Sequence, residues 1–186
     1  MRPTLLLIRH SDPAIDPAAP ASRWPLSPVG RARCARLAEA LRPHAPAHVA
    51  SSREPKAAET ARLVAAALGI ESSTAAGLEE HHRETVPFLP DFRARIAELF
   101  ARPDERVLGE ETGAESRARF GRALSDLVAA WRWPGPPCVV AHGTVLSLHL
   151  GERLGLDPLA LWDRLRCPSL LVIAGGSLEL QTDFDP

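Results

Sequence analysis

The stretch TLLLIR, residues 4–9, does most to limit what this chain can fold into. It is apolar at consecutive positions rather than alternate ones. A strand built from it must be covered on both faces, as a central strand is in a parallel sheet flanked by helices. CVVA (138–141) is a second run of this kind, HVAS (48–51) a shorter one and IESST (70–74) a poorer one. LLVIAG and SLELQTDF, joined through Gly175–Gly176, read as a terminal hairpin.

Between these runs lie stretches with helical periodicity. Residues 27–43 place Val29, Leu37 and Leu41 at helical spacing, with Ser27 as N-cap, Pro28 in the first turn and Pro43 as the stop. The alanine-rich stretch 53–68 ends at Gly69, 91–101 and 111–131 contain helices, and 143–155 ends at Gly155. Residues 11–27, with four prolines, and 77–90 read as loops. No segment repeats another. Strand and helix alternate, which predicts an α/β fold: a three-layer α/β/α sandwich around a mostly parallel central sheet. The 186 residues suit one domain spanning 1–186, since domains commonly run to ~100–200 residues.

Composition narrows the function. The formal net charge is −1, so no general basic field exists to hold nucleic acid or an anionic membrane. Any attraction for anions has to be local. The three cysteines, Cys34, Cys138 and Cys167, are odd in number and form no C-x-x-C pair, which argues against a disulfide framework or a zinc site. The N-terminal apolar run is five residues long, too short for a leader core or a membrane span. A reducing cytoplasm is the expected compartment. Lys56 is the only lysine among 22 basic residues, so an isolated arginine here says little.

Four polar features recur where strands end. Arg9 and His10 follow the first strand, Arg53 follows the second, and His142 follows CVVA, while Glu79 and Glu80 lie in the loop GLEEHHRE. Ligands of open α/β sheets bind in the crevice at the carboxyl ends of the strands, so these residues can converge there. Their chemistry suits a phosphoryl group. Guanidinium groups hold phosphate oxygens in pairs. Gly143 and Thr144 open a helix directly after His142, and a helix N-terminus presents amide N–H groups to an anion. Two histidines supply a nucleophile and a donor, and a carboxyl group can protonate a leaving oxygen. This chemistry calls for no metal and no other cofactor. His81, His82 and Glu84 lack a third ligand at metal spacing. Ser11, His81 and Arg83 are instead assigned to the substrate rim. His149 reads as a satisfied helix histidine, His44 and His48 as exposed flanks of a proline-rich turn, and the four tryptophans as packing residues. Specificity is expected from the loops 12–27 and 81–110.

RH at the first strand end, SSREPKAAETA, an acidic L-x-E loop and AHG after a late strand, in this order, resemble the histidine phosphatase superfamily, also called phosphoglycerate-mutase-like. WPLSPVGRARCARLAEAL also resembles the family's L-S/T-x-x-G-x-x-Q-A segment, and the likeness runs from residue 4 to about residue 150. The resemblance implies that His10 attacks phosphorus and becomes a phosphohistidine. It implies a phosphate pocket of Arg9, Arg53, His142 and Gly143, and an acid at Glu80, or at Glu79 if the register shifts by one. Nearby arginines should lower the His10 pKa, and a backbone carbonyl on its other ring nitrogen should fix the tautomer. Ser11 stands where the family usually has glycine, so its hydroxyl either binds phosphate or the backbone there is ordinary. Asp16 falls near a family donor position but carries the wrong charge. The segment between Glu80 and Glu110 is short for a mutase of the family. The expectation is a metal-independent phosphatase acting on a small phosphorylated substrate. The alternatives are a phosphoryl-transferring mutase and a phospho-ligand-binding module without turnover. Oligomeric state leaves no sequence signal.

Overall fold

The computed structural model describes residues 4–185. Six strands form one sheet: β1 (Leu5–Arg9), β2 (His48–Ser51), β3 (Glu71–Thr74), β4 (Cys138–Ala141), β5 (Ser169–Ala174) and β6 (Ser177–Gln181), in the order β3-β2-β4-β1-β5-β6. The first four are parallel neighbours, while β5 runs antiparallel to β1 and β6 antiparallel to β5, closing the sheet with the expected hairpin.

Successive strand residues face opposite sides, and the sheet is covered on both. Leu6, Ile8, Cys138 and Val140 pack against α1 (Pro28–Leu41) and α2 (Pro55–Leu68) through Leu37, Leu41, Ala57, Ala61 and Val64. Leu7, Val139, Ala141 and Leu171 pack on the other side against α4 (Gly113–Ala129), α5 (Gly143–Leu154) and α6 (Pro158–Arg164) through Phe120, Leu124, Val145, Leu146, Leu150 and Leu161. These two cores explain the continuous apolar runs, since each full burial of such a side chain contributes roughly 1.5–3 kcal/mol. A smaller cluster of Ile96, Leu99 and Leu108 seats α3 (Phe92–Ala101).

Some local readings change. Val29 is exposed, and the buried stripe of α1 is instead Gly30, Cys34, Leu37, Ala38 and Leu41. Gly30 is needed for contact: a Cβ there would lie 2.1 Å from the Asp12 carbonyl oxygen. The helix therefore packs backbone to backbone on the segment after β1, and the Ser27 N–H also donates to Asp12 O at 2.9 Å. His48 is buried rather than exposed, because its ring stacks on Trp133 at 3.8 Å and its Nε2 bonds the Ser73 hydroxyl at 2.7 Å. Helix α6 was not anticipated, although Asp157 caps it and Pro158 opens it.

Parallel pairing sets up the site. Arg9 sits opposite Ala141 in register, the His10 N–H donates to Ala141 O at 3.0 Å, and the Ser52 N–H donates to Val140 O at 3.0 Å. The segments following β1, β2 and β4 thus leave the sheet side by side.

Candidate active site

His10 and His142 meet edge to face with ring centroids 5.1 Å apart. The Nδ1 of His10 lies 2.7 Å from the Ser11 carbonyl oxygen. A carbonyl only accepts, so Nδ1 carries the proton and Nε2 keeps its lone pair. Burial, then His142, Lys56 and Arg9, hold His10 well below the ordinary histidine value, with the bond to Ser11 acting in the opposite direction. His142 is fully buried, and burial followed by the Lys56 charge likewise holds it well below the ordinary value. Its Nε2 is 2.8 Å from the Ser52 hydroxyl and 3.6 Å from a Glu54 carboxylate oxygen.

His10 lies in a cleft of about 430 Å³ that is also lined by Arg9, Lys56, Glu80 and Arg83. Arg9 donates to the Leu165 carbonyl, and its Nε is buried without a partner. Gly143 backs this guanidinium, since a Cβ on Gly143 would come within 3.1 Å of Arg9 Cζ. Arg83 places its Cζ 4.5 Å over the Phe92 ring and also has a buried, unpartnered Nη1. Buried polar groups are normally paired, so these donors mark a place made for an acceptor.

Glu80 lies across the first turn of α5. Its carboxylate accepts from the Thr144 and Val145 N–H groups at 3.2 Å each, and from its own neighbour His81 N–H at 3.0 Å. Burial opposes the charge, but His142, Arg83 and the His81 amide outweigh it and keep Glu80 below the ordinary glutamate value. The helix N-terminus acts in the same direction. Two of the amides that the sequence offered to phosphate are thus taken by this carboxylate. Glu79 points elsewhere: its carboxylate accepts from the Gly77 N–H and does not line the cleft.

The sequence profile of the histidine phosphatase superfamily (branch 1) matches residues 5–180. The chain belongs to this superfamily. Among solved structures, a mycobacterial glucosyl-3-phosphoglycerate phosphatase is 21% identical, with a TM-score of 0.74 over 98% of this chain and 97% of its own. A putative α-ribazole-5′-P phosphatase from Escherichia coli is 22% identical, with a TM-score of 0.67 over 99% and 96%. A phosphoserine phosphatase variant from Entamoeba histolytica, in complex with phosphoserine, is 16% identical, with a TM-score of 0.65 over 98% and 96%. At these identities the likeness is one of fold. The search of curated proteins gave no match.

Within this histidine phosphatase fold, several expected site residues are placed differently. Arg53 is exposed and does not line the cleft. It precedes α2, whereas Lys56, Thr60 and Val64 lie on the helix face that turns inward. Lys56 therefore supplies the cation from this segment, its ammonium donating to the Ala21 carbonyl at 2.6 Å and to the Glu54 carboxylate. Ser11 is fully buried and not at the rim, its hydroxyl donating to Gly30 O at 2.7 Å. His81 is buried with its Nε2 against the Leu108 carbonyl, so it too is absent from the rim. Gly143 and His142 stand behind the cleft rather than in its lining. Asp16 caps its own turn, accepting from the Ala18 N–H at 2.9 Å. Trp24 and Trp162, expected to be packing residues, line the cleft.

Besides Lys56, two further residues of this phosphatase-family site escaped the sequence reading. Glu54 is buried and joins three parts of it: Lys56, His142 and the Glu80 N–H, the last at 2.7 Å. Arg119, from α4, donates to the carbonyls of Gly77, Glu79 and Glu80 at 3.0 Å each and so fixes the loop carrying Glu80. Lys56 at least had a signal, because it falls in helical phase with Thr60 and Val64. Among the described residues, no three His, Cys, Asp or Glu side chains are grouped as metal ligands, and no helix is long and apolar enough to cross a membrane.

Proposed function

We propose that the protein is a phosphatase that hydrolyses a small phosphomonoester through a phosphohistidine on His10, without a metal ion, as one domain in the cytoplasm. The observation carrying this reading is the His10 ring: buried, kept neutral, and held by the Ser11 carbonyl in the tautomer that leaves Nε2 free. Only an unprotonated nitrogen attacks phosphorus. The cytoplasmic setting accords with three free cysteines.

In this mechanism Arg9, Lys56 and Arg83 hold the phosphoryl oxygens. The Nε2 lone pair of His10 forms the N–P bond as the P–O bond to the alcohol breaks. Nδ1 keeps its proton, and the Ser11 carbonyl stabilises the resulting phosphoimidazolium. His142 abuts His10 from behind the cleft and steadies the attacking ring edge to face. Glu80 gives its proton to the leaving oxygen. A water molecule then attacks phosphorus, Glu80 takes its proton, and phosphate departs as the N–P bond breaks.

Glu80 is ionised in the resting cleft, so the proton has to arrive with the substrate. A phosphomonoester loses its second proton near pH ~6, and the monoanion can pass it to Glu80. The phosphoryl charge beside Glu80 then raises the affinity of that carboxylate for the proton.

Assay of p-nitrophenyl phosphate hydrolysis with EDTA, in wild type and His10→Ala, tests the proposal. Activity should be insensitive to EDTA and abolished in the variant. Activity that survives in the variant removes the nucleophile assignment, and activity lost to EDTA points to a metal mechanism. With 3-phosphoglycerate, free phosphate supports the phosphatase and an isomerised phosphoglycerate supports a mutase.

A further inference from the structure

We infer that the cleft selects phosphomonoesters whose alcohol part is apolar, alkyl or aryl, and carries no second charge. This deepens the phosphatase reading and rests on it for turnover, but not for binding.

The cleft, at about 430 Å³, is far larger than a phosphoryl group needs and falls in the ~300–1,000 Å³ range of small-molecule sites. Beyond the charged and polar side chains of Arg9, His10, Asp12, Lys56, Glu80 and Arg83 its walls are apolar. The loop after β1 contributes Ile15 and Trp24, the loop before α3 contributes Val86 and Phe88, and Phe92 and Trp162 complete it. Ile15 is 59% exposed and Phe88 46%, and they are two of the four large hydrophobic side chains that stand exposed among the described residues. A single exposed apolar side chain is ordinary. Two of them, on separate loops lining the same cleft beside a cationic end, leave apolar surface uncovered where a substrate would sit.

The polar side chains of this outer part, Trp24 and Asp12, are already engaged. The Trp24 indole N–H donates to the Asp16 carbonyl at 2.9 Å and to the Ala19 carbonyl at 3.1 Å, so the ring offers only its apolar face. Asp12 is paired with Arg33. Pro13, Pro87 and Pro90 line the cleft without an N–H to give. A sugar or glycerate moiety would leave its own hydroxyls unpaired on these walls, at the cost of their desolvation. An apolar chain bears no such cost.

Calorimetric titration with n-alkylphosphonates from methyl to octyl, whose C–P bond is not hydrolysed, tests the inference. Affinity should rise by up to about fourfold per methylene until the cleft is filled, with a heat-capacity change that grows more negative along the series. Replacing the terminal methyl of the octyl compound by a carboxylate should weaken binding. Phe88→Ala and Ile15→Ala, both at exposed positions where folding is not at stake, should flatten the rise. Equal affinities along the series, or tighter binding of the carboxylated compound through Arg83, would overturn the inference. Turnover of the matching n-alkyl phosphates is read separately. Rising affinity without turnover sustains the apolar preference and removes the phosphatase, whereas turnover with a flat series does the reverse.

Discussion

Lys56→Met is the most revealing single change outside the histidines. The Lys56 ammonium and the Glu54 carboxylate are paired, with side chains only 5% and 8% exposed. Removing the ammonium leaves a buried carboxylate whose remaining neighbours are the Glu80 N–H at 2.7 Å and the His142 Nε2 at 3.6 Å. Breaking one side of a buried ion pair costs about 3–5 kcal/mol. The amide bond survives, which places the loss at the low end, about 3 kcal/mol. For a chain of this size each kcal/mol lowers Tm by about 2–4 °C, so the variant should melt roughly 6–12 °C early. Glu54→Gln combined with Lys56→Met removes both charges and keeps an oxygen for the Glu80 N–H. It should regain most of the lost stability yet remain impaired in kcat/KM, because the cleft still lacks its ammonium. Thermal and urea unfolding of wild type, both single variants and the double variant complete the cycle. A loss under about 1 kcal/mol in Lys56→Met, or a double variant as unstable as it, would refute the reasoning.

Glu80→Gln cannot supply a proton. It should lower kcat by about 10²–10⁴ for alkyl phosphates and by much less for p-nitrophenyl phosphate, whose leaving group needs no acid; steady-state kinetics with both substrates checks this. His10 and His142 are each held below the ordinary histidine value, chiefly by burial. The unfolded chain therefore binds more protons than the folded one, and the stability they contribute is complete above pH ~6.5 and lost as the pH falls toward their folded values. Urea unfolding at neutral pH and in mild acid should show this decline, and His10→Ala should make it shallower. Gly143→Ala would press a Cβ to 3.1 Å from Arg9 Cζ while improving the helical propensity of α5. It should stay folded and weaken inorganic phosphate as a product inhibitor by about tenfold, equivalent to about 1.4 kcal/mol.

The central strands were legible because β1 and β4 are buried on both faces, and only a covered parallel sheet tolerates such runs. β3 read poorly because it is an exposed edge strand, ESST, with little apolar character. Helix α6 carried a readable Asp-Pro start but is only seven residues long, too short for periodicity to be counted. The site divides the same way. His10, His142 and Arg9 could be placed because they end or directly follow strands whose register fixes where they emerge. Arg53 misled because it is the arginine nearest a strand end. Which charge enters the cleft is decided by the phase of α2, and that phase selects Lys56. Ser11 and His81 read as polar rim residues, but their hydrogen bonds to Gly30 and Leu108 are tertiary, joining segments far apart in sequence. Glu54 and Arg119 bind main-chain groups of a distant loop, and no local spacing shows that.

The central claim is that the His10 Nε2 carries the phosphoryl group during turnover. Rapid alkaline quenching of wild-type enzyme during hydrolysis of p-nitrophenyl phosphate, followed by peptide mapping, tests it most directly. The account predicts an acid-labile, alkali-stable phosphoryl group on the peptide containing His10, absent from His10→Ala. A phosphoryl group on His142 or on a serine, or continued turnover with His10 unmodified at every quench time, would contradict it.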